Sequence, residues 1–81
     1  MNYIDIFLEA LSAERGRSQK TLASYESDLR LANDAIAGGL MTANADALQS
    51  YLSSLSEKPT SIARKASALR GFYKFLMLEK I

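Results

Sequence analysis

Four stretches of the chain place apolar residues at helical spacing, and nothing alternates at period two over a useful length. That patterning leaves no room for a sheet and restricts the chain to helices. In the first stretch Tyr3, Ile4, Phe7, Leu8 and Leu11 share one stripe, with Asp5 and Glu9 off it. It predicts a helix over about residues 2–14, with Gly16 as a left-handed stop. The second helix runs from Ser18 or Gln19 to Ala37. Ser18 is its N-cap, Leu22, Tyr25, Leu29, Ala32 and Ile36 form its buried face, and Gly38-Gly39 ends it. Its other side carries Lys20, Ser24, Ser27, Arg30 and Asp34, and Leu31 also points outward. The third helix runs from Ala45 to Glu57, capped by Asn44 or Thr42, with Asp46 in its first turn and Leu48, Tyr51, Leu52 and Leu55 as its core stripe. Pro59 forces a break. The fourth helix starts at Thr60 or Ser61 and ends at Glu79, with Ile62, Ala66, Leu69, Phe72, Tyr73, Leu76 and Met77 on one side. Arg64, Ser67, Arg70, Gly71 and Lys74 share the opposite side, and Phe75 and Leu78 flank that polar arc. With 81 residues there is room for one domain and not two. The expected fold is all-α, a compact four-helix bundle over residues 1–81, with connections of about 2–8 residues.

Composition narrows the chemistry. The chain has neither cysteine nor histidine. That removes disulfides, thiolate metal sites, cysteine nucleophiles, the commonest metal ligand and a Ser-His-Asp triad. Asp5/Glu9 and Asp28 could in principle pair for catalysis, but isolated helical carboxylates are usually solvated surface, and they are read as such. Gly38-Gly39 lacks the lysine and hydroxyl residue of a phosphate loop. No catalysis by this chain alone is expected, and no cofactor or metal. The longest uncharged run, from Ala35 to Ala45, is too short to cross a membrane. The start, Met1-Asn2-Tyr3-Ile4-Asp5, lacks the basic and apolar regions of a signal peptide. A cytoplasmic protein with no membrane partner is the expectation.

The net charge is only +1, but the charges are sorted along the chain. Lys58, Arg64, Lys65, Arg70 and Lys74 fall in a stretch without a single acid, and so do Arg15, Arg17 and Lys20. The remainder holds Arg30 and Lys80 against all nine acids. A chain divided in this way presents one basic surface, which attracts polyanions, and one acidic surface.

The basic arc of the fourth helix extends over about 15 Å, at 1.5 Å per residue. A helix face of that length suits a DNA major groove. Arginine grips phosphate or reads guanine edges, serine reaches either, and glycine lets the backbone approach. From the stripe alone, an ordinary solvated face is an equally good reading. Two points weigh against it: a solvated face mixes signs into i, i+4 pairs, and a second acid-free cluster sits where the second helix begins. That cluster, Arg15-Gly16-Arg17-Ser18-Gln19-Lys20-Thr21, joins helix-terminal N–H groups, hydroxyls and cations in the manner of a phosphate site. Simple capping by Ser18 beside chance arginines is the alternative. Tyr25 and Tyr73 fall on apolar faces and are read as core residues.

The stretch Ser18-x-x-Thr21-x-x-x-Tyr25-x-x-Asp28-Leu29 resembles the opening of the N-terminal core-binding domain of tyrosine recombinases, the phage-integrase and Xer-type family. Ser61-x-x-Arg64-x-x-Ser67-Ala68-Leu69-Arg70-x-Phe72-Tyr73-x-Phe75-Leu76 looks like that domain's last helix. Phe7-Leu8-x-x-Leu11-x-x-Glu14-Arg15 is similar to its first. The resemblance covers nearly the whole chain in the family's order. It implies a SAM-like bundle that forms half of a C-shaped clamp on duplex DNA, with the second and fourth helices facing the DNA. The first helices would help contact neighbouring protomers. Carried over, Ser18, Lys20 and Thr21 sit at the phosphate-gripping start of the second helix. Ser61, Arg64, Ser67, Arg70 and Lys74 lie along the fourth, and Arg17 and Lys65 are weaker candidates. The family's catalytic domain, with its arginine–lysine–histidine–arginine set and nucleophilic tyrosine, has no counterpart in this sequence. The chain is thus expected to be an excised domain or a truncated relative, with that catalytic domain and other protomers as its partners.

Binding through about five phosphates would weaken several hundredfold between 50 and 200 mM salt. The competing reading is a helical protein-interaction module that uses Phe75, Leu78 and Leu31 as exposed anchors and survives charge reversal on the fourth helix.

Overall fold

The computed structural model describes residues 2–14, 16 and 18–79. Within them the chain forms four helices and no strand: α1 (Tyr3–Ser12), α2 (Gln19–Ala35), α3 (Ala45–Ser53) and α4 (Pro59–Leu78). Three begin at a side-chain cap. Asn2 Oδ1 accepts the Ile4 N–H at 2.8 Å, Ser18 Oγ accepts the Thr21 N–H at 3.0 Å and Asn44 Oδ1 accepts the Ala47 N–H at 2.8 Å. The fourth begins differently from expectation. Pro59 is its first helical residue rather than a break before it, because proline at that position has no N–H to orphan and its fixed φ is already helical.

The helices also stop earlier than their apolar stripes suggest. α2 ends at Ala35, and Ile36 turns extended (ψ 126°), which drops it and Leu40 into the core. Gly38 and Gly39 make that turn at φ +82° and +77°, and the Leu40 N–H is tied to Asn33 Oδ1 at 2.9 Å. A Cβ on Gly39 would lie 2.8 Å from that same Asn33 oxygen. α3 ends at Ser53, where the Ser54 hydroxyl donates to the Tyr51 carbonyl at 2.7 Å and competes with helix continuation.

The core is built by α1, α2 and α4: Ile4, Phe7 and Leu11, Leu29 and Ala32, and Ala68, Leu69, Phe72 and Leu76. Phe7 is wedged between Phe72, edge-on with ring centroids 5.7 Å apart, and Phe75 at 5.5 Å. α3 contributes no fully buried residue and leans on this core through half-buried Leu48, Tyr51 and Leu52. Tyr73 joins α4 to the α2–α3 connection, its hydroxyl donating to the Leu40 carbonyl at 2.6 Å. Among the described residues no helix is long and apolar enough to cross a membrane.

Three placements on α4 differ from the wheel. Met77 is 76% exposed instead of facing the core. Phe75 packs on Phe7 and is no exposed anchor, whereas Leu78 and Leu31 are exposed as expected. Gly71 faces α1: a Cβ there would lie 3.3 Å from Phe7 Cζ, so this glycine makes room for a core ring. The common cause is that α4 is gripped on two sides, by α2 and by α1, so its buried arc is wider and rotated toward the polar residues.

Candidate functional site

Capping occupies the hydroxyls at the start of α2. Ser18 Oγ accepts the Thr21 N–H and donates to Thr21 Oγ1 at 2.9 Å. Ser18 and Lys20 are exposed, Thr21 is half-buried, and no acid lies in the first turn. Arg15 and Arg17, the other cations expected here, lie outside the described residues.

Along α4, Ser61 is half-buried near the N-terminal end, and Arg70 and Lys74 are exposed one turn apart. Neither Arg70 nor Lys74 has an acidic partner among the described residues. Arg70 makes one long contact, Nη2 to Ser67 Oγ at 3.4 Å. Ser67, Gly71 and Lys74 line an open cleft of about 360 Å³ with Tyr25 of α2 and Glu14 after α1. The first half of α2 thus runs beside the second half of α4, and Lys74 lines the cleft with them.

Arg64 and Lys65 behave otherwise, and both meet Asp28. This carboxylate is buried, with only 3% of the residue exposed. Arg64 Nε donates to Asp28 Oδ2 at 2.8 Å and Nη2 donates to Oδ1 at 3.0 Å. Lys65 Nζ donates to Oδ1 at 3.0 Å from the buried side, and Glu57 Oε1 lies 3.8 Å from the same ammonium. Every buried side-chain polar atom among the described residues has a partner. Burial acts to raise the pKa of Asp28, but the bonds from Arg64 and Lys65 together hold its carboxyl below the ordinary value. The Asp28 bonds raise the Arg64 guanidinium further. Burial pushes the Tyr51 and Tyr73 phenols up.

Two sequence expectations are corrected here. Lys65 is 3% exposed and cannot reach a ligand at the surface, because its ammonium is consumed by Asp28. Asp28 is not a solvated carboxylate but the centre of a buried cluster. Both were legible in register. Asp28 is three residues after Tyr25 and four before Ala32, and Lys65 is three after Ile62 and four before Leu69. An acid on the apolar stripe of one helix and a base on that of another are a buried pair in waiting. Of the remaining candidates, Ser18 and Lys20 are exposed at the start of α2 and Arg64, Arg70 and Lys74 along α4, whereas Thr21, Ser61 and Ser67 are half-buried and Arg17 lies outside the described residues. Among the described residues no cluster of acids is arranged to hold a metal ion.

Comparison with known proteins places the chain in a family. The family described as phage integrase, N-terminal SAM-like domain, matches residues 4–80. The chain is 51% identical over 83 residues to tyrosine recombinase XerD of Rhizobium meliloti, covering 95% of this chain and 27% of that protein. It is 51% identical over 77 residues to tyrosine recombinase XerC of Erythrobacter litoralis, covering 94% and 25%. It is 43% identical over 82 residues to tyrosine recombinase XerD of Brucella abortus, covering 94% and 26%. The chain therefore spans about a quarter of the length of the curated relatives it matches. No solved structure is significantly similar. With four helices in the expected order and a match running from Ile4 almost to the last residue, the chain belongs to the phage integrase N-terminal SAM-like domain family.

Proposed function

We propose that this chain is the DNA-binding domain of a site-specific tyrosine recombinase, and that it grips duplex DNA with the start of α2 and the exposed row of α4. In a full-length protein of this kind, a separate catalytic domain would cleave and rejoin the strands while this domain forms the other half of the clamp. The reading rests chiefly on one observation: α4 carries Arg64, Arg70 and Lys74 at its surface and no acid along its whole length. A helix evolved only for solubility gains from mixed-sign pairs at i, i+4, and here the sign is uniform. Lys20, Ser18 and Thr21 extend the basic surface at the start of α2, where the helix dipole favours an anion. Most of these groups suit phosphate better than base edges, so the grip is sequence-tolerant and salt-sensitive.

The test is a heteronuclear NMR titration of the labelled chain with a short duplex at 50 and 200 mM salt. Shifts concentrated on residues 18–21 and on Arg64, Arg70 and Lys74, fading at the higher salt, are the expected result. Shifts confined to α1 and the end of α4, or none, would overturn the reading. A second reading, a protein-contact surface at the end of α4, is favoured by Met77 and Leu78, which are 76% and 71% exposed. It predicts concentration-dependent sedimentation that a change of both residues to serine abolishes.

A further inference from the structure

The Asp28 cluster has an architecture that core packing alone does not require. Arg64 follows the chain onto the surface, yet its guanidinium is clamped from beneath. A guanidinium has five N–H donors in a planar fork. Asp28 takes the Nε–H and one Nη2–H, the side-on edge of that fork. Three N–H groups remain, two on Nη1 and one on Nη2, and they form the end-on edge, which matches two oxygens of one phosphate. The arginine side chain is 43% exposed while the carboxylate beneath it is 2% exposed. One edge is therefore fixed in the interior and the other faces outward.

Lys65 completes the device. Adjacent helical residues do not face each other, but here Arg64 and Lys65 straddle the same carboxylate from its outer and inner sides. Arg64 and Lys65 together keep Asp28 ionised within the core, and so keep it a double acceptor. Counting Glu57, which lies near Lys65, the four groups sum to zero charge. The cluster offers a ligand oriented donors rather than excess charge.

We propose that Asp28 is a positioning residue: it holds the Arg64 guanidinium in a preset orientation whose free edge binds a phosphate of the DNA backbone. This deepens the DNA-binding reading and rests on it. It makes a prediction opposite in sign to simple electrostatics. Removing an acid near a DNA-binding face should tighten binding through lower repulsion, whereas removing a positioning acid loosens it.

The experiment measures affinity for a fluorescein-labelled duplex at 100 mM salt by anisotropy. It compares the unmodified chain with Arg64→Met, Arg64→Lys, Asp28→Asn and the double variant Asp28→Asn/Arg64→Met. Arg64→Met is expected to weaken binding about tenfold, the loss of a charge-assisted pair of bonds. Arg64→Lys, which keeps the charge but cannot fork toward carboxylate and phosphate together, is expected to lose nearly as much. Asp28→Asn is expected to weaken binding several-fold, with no further loss when added to Arg64→Met. The Arg64 Nε–H NMR signal, protected from solvent exchange in the unmodified chain, is expected to lose protection in Asp28→Asn. If Asp28→Asn is too unstable to measure, Arg64→Lys decides alone, since Lys65 still satisfies Asp28 in that variant. Binding that is unchanged in Arg64→Lys, or unchanged or tighter in a folded Asp28→Asn, overturns the positioning role while leaving the DNA-binding reading intact. No duplex binding by the unmodified chain overturns both.

Discussion

Arg70 and Lys74 offer the sharpest test of how the surface of α4 is used, because the fold asks almost nothing of them. Both are exposed, neither has an acidic partner among the described residues, and the one contact is the 3.4 Å bond from Arg70 to Ser67. Replacing both with glutamate exchanges one like-charge i, i+4 pair for another, so stability should move by no more than about 0.5 kcal/mol. DNA binding should change far more. With Lys65 withdrawn into the core and the Arg64 charge offset by Asp28, the exposed cations that add net charge to the contact are Lys20, Arg70 and Lys74. If each neutralises one phosphate, the log–log salt slope is about −2.7, a loss of about 40-fold in affinity from 50 to 200 mM salt. Arg70→Glu/Lys74→Glu removes two of the three, so the slope should fall to about −0.9 and the loss over the same range to about 3.5-fold. Anisotropy titrations at 50, 100 and 200 mM give both slopes, and circular dichroism confirms the fold. A folded double variant with an unchanged slope would show that these residues are not the contact surface. The sequence alone suggests Arg64→Glu/Arg70→Glu for this purpose. The structure argues against that pair, because a glutamate at position 64 would face the buried Asp28 carboxylate and confound binding with unfolding.

Other measurements probe the scaffold. Asp28→Ala strands the Lys65 ammonium in the interior and should cost about 3–5 kcal/mol, read as a large drop in the urea midpoint. Tyr73→Phe leaves the Leu40 carbonyl without its 2.6 Å partner and should cost about 1 kcal/mol, lowering the melting temperature by about 4–8 °C. Asp28 is held below the usual value of 3.8, so its contribution is complete above that pH and is lost as pH falls through the lower folded value. The unmodified chain should accordingly lose melting temperature more steeply than Asp28→Asn below about pH 4. α3, with no buried residue, should exchange its amide hydrogens before α1, α2 and α4 do, as hydrogen-exchange NMR would report.

Helix number and order, and the caps of α2 and α3, were readable in the sequence because each depends on local chemistry. Ser18 and Asn44 cap where a short polar side chain precedes an apolar stripe, and Gly16 takes the left-handed conformation its position implied, at φ +85°. What escaped was whatever depends on two helices at once. Leu40 looks like one residue of a loop, yet it is 1% exposed because the double-glycine turn folds it back under Tyr73. Gly71 looks like part of a polar face until Phe7 of α1 is placed against it. A wheel drawn for α4 alone assigns one buried arc, whereas α1 and α2 together impose a wider one. The exposed cations of the candidate site were easier to find than the buried ones, since exposure is the default for a charge and burial needs a partner that single-helix periodicity does not reveal.

The buried pair also explains why α4 can carry so many cations without falling away from the core. A lysine on the inward arc would ordinarily oppose packing, since desolvating an unpaired ammonium costs several kcal/mol. Asp28 answers that cost from the facing helix, at the register where α2 and α4 lie side by side. Both of its oxygens also accept from the preceding residue, Arg64, which sits at the border between core and solvent. A lysine at position 64 would satisfy charge but not this geometry, because an ammonium is a point donor and cannot lie flat across both carboxylate oxygens while facing outward. The order of the two bases follows from the same constraint. The compact ammonium fits the inner side and the forked guanidinium bridges to the surface. Exchanging them, Arg64→Lys/Lys65→Arg, keeps composition and net charge but should lose both stability and DNA affinity. A swapped chain as stable and as tight-binding as the original would mean that the cluster is only an ion pair, with no preference for which base lies inside.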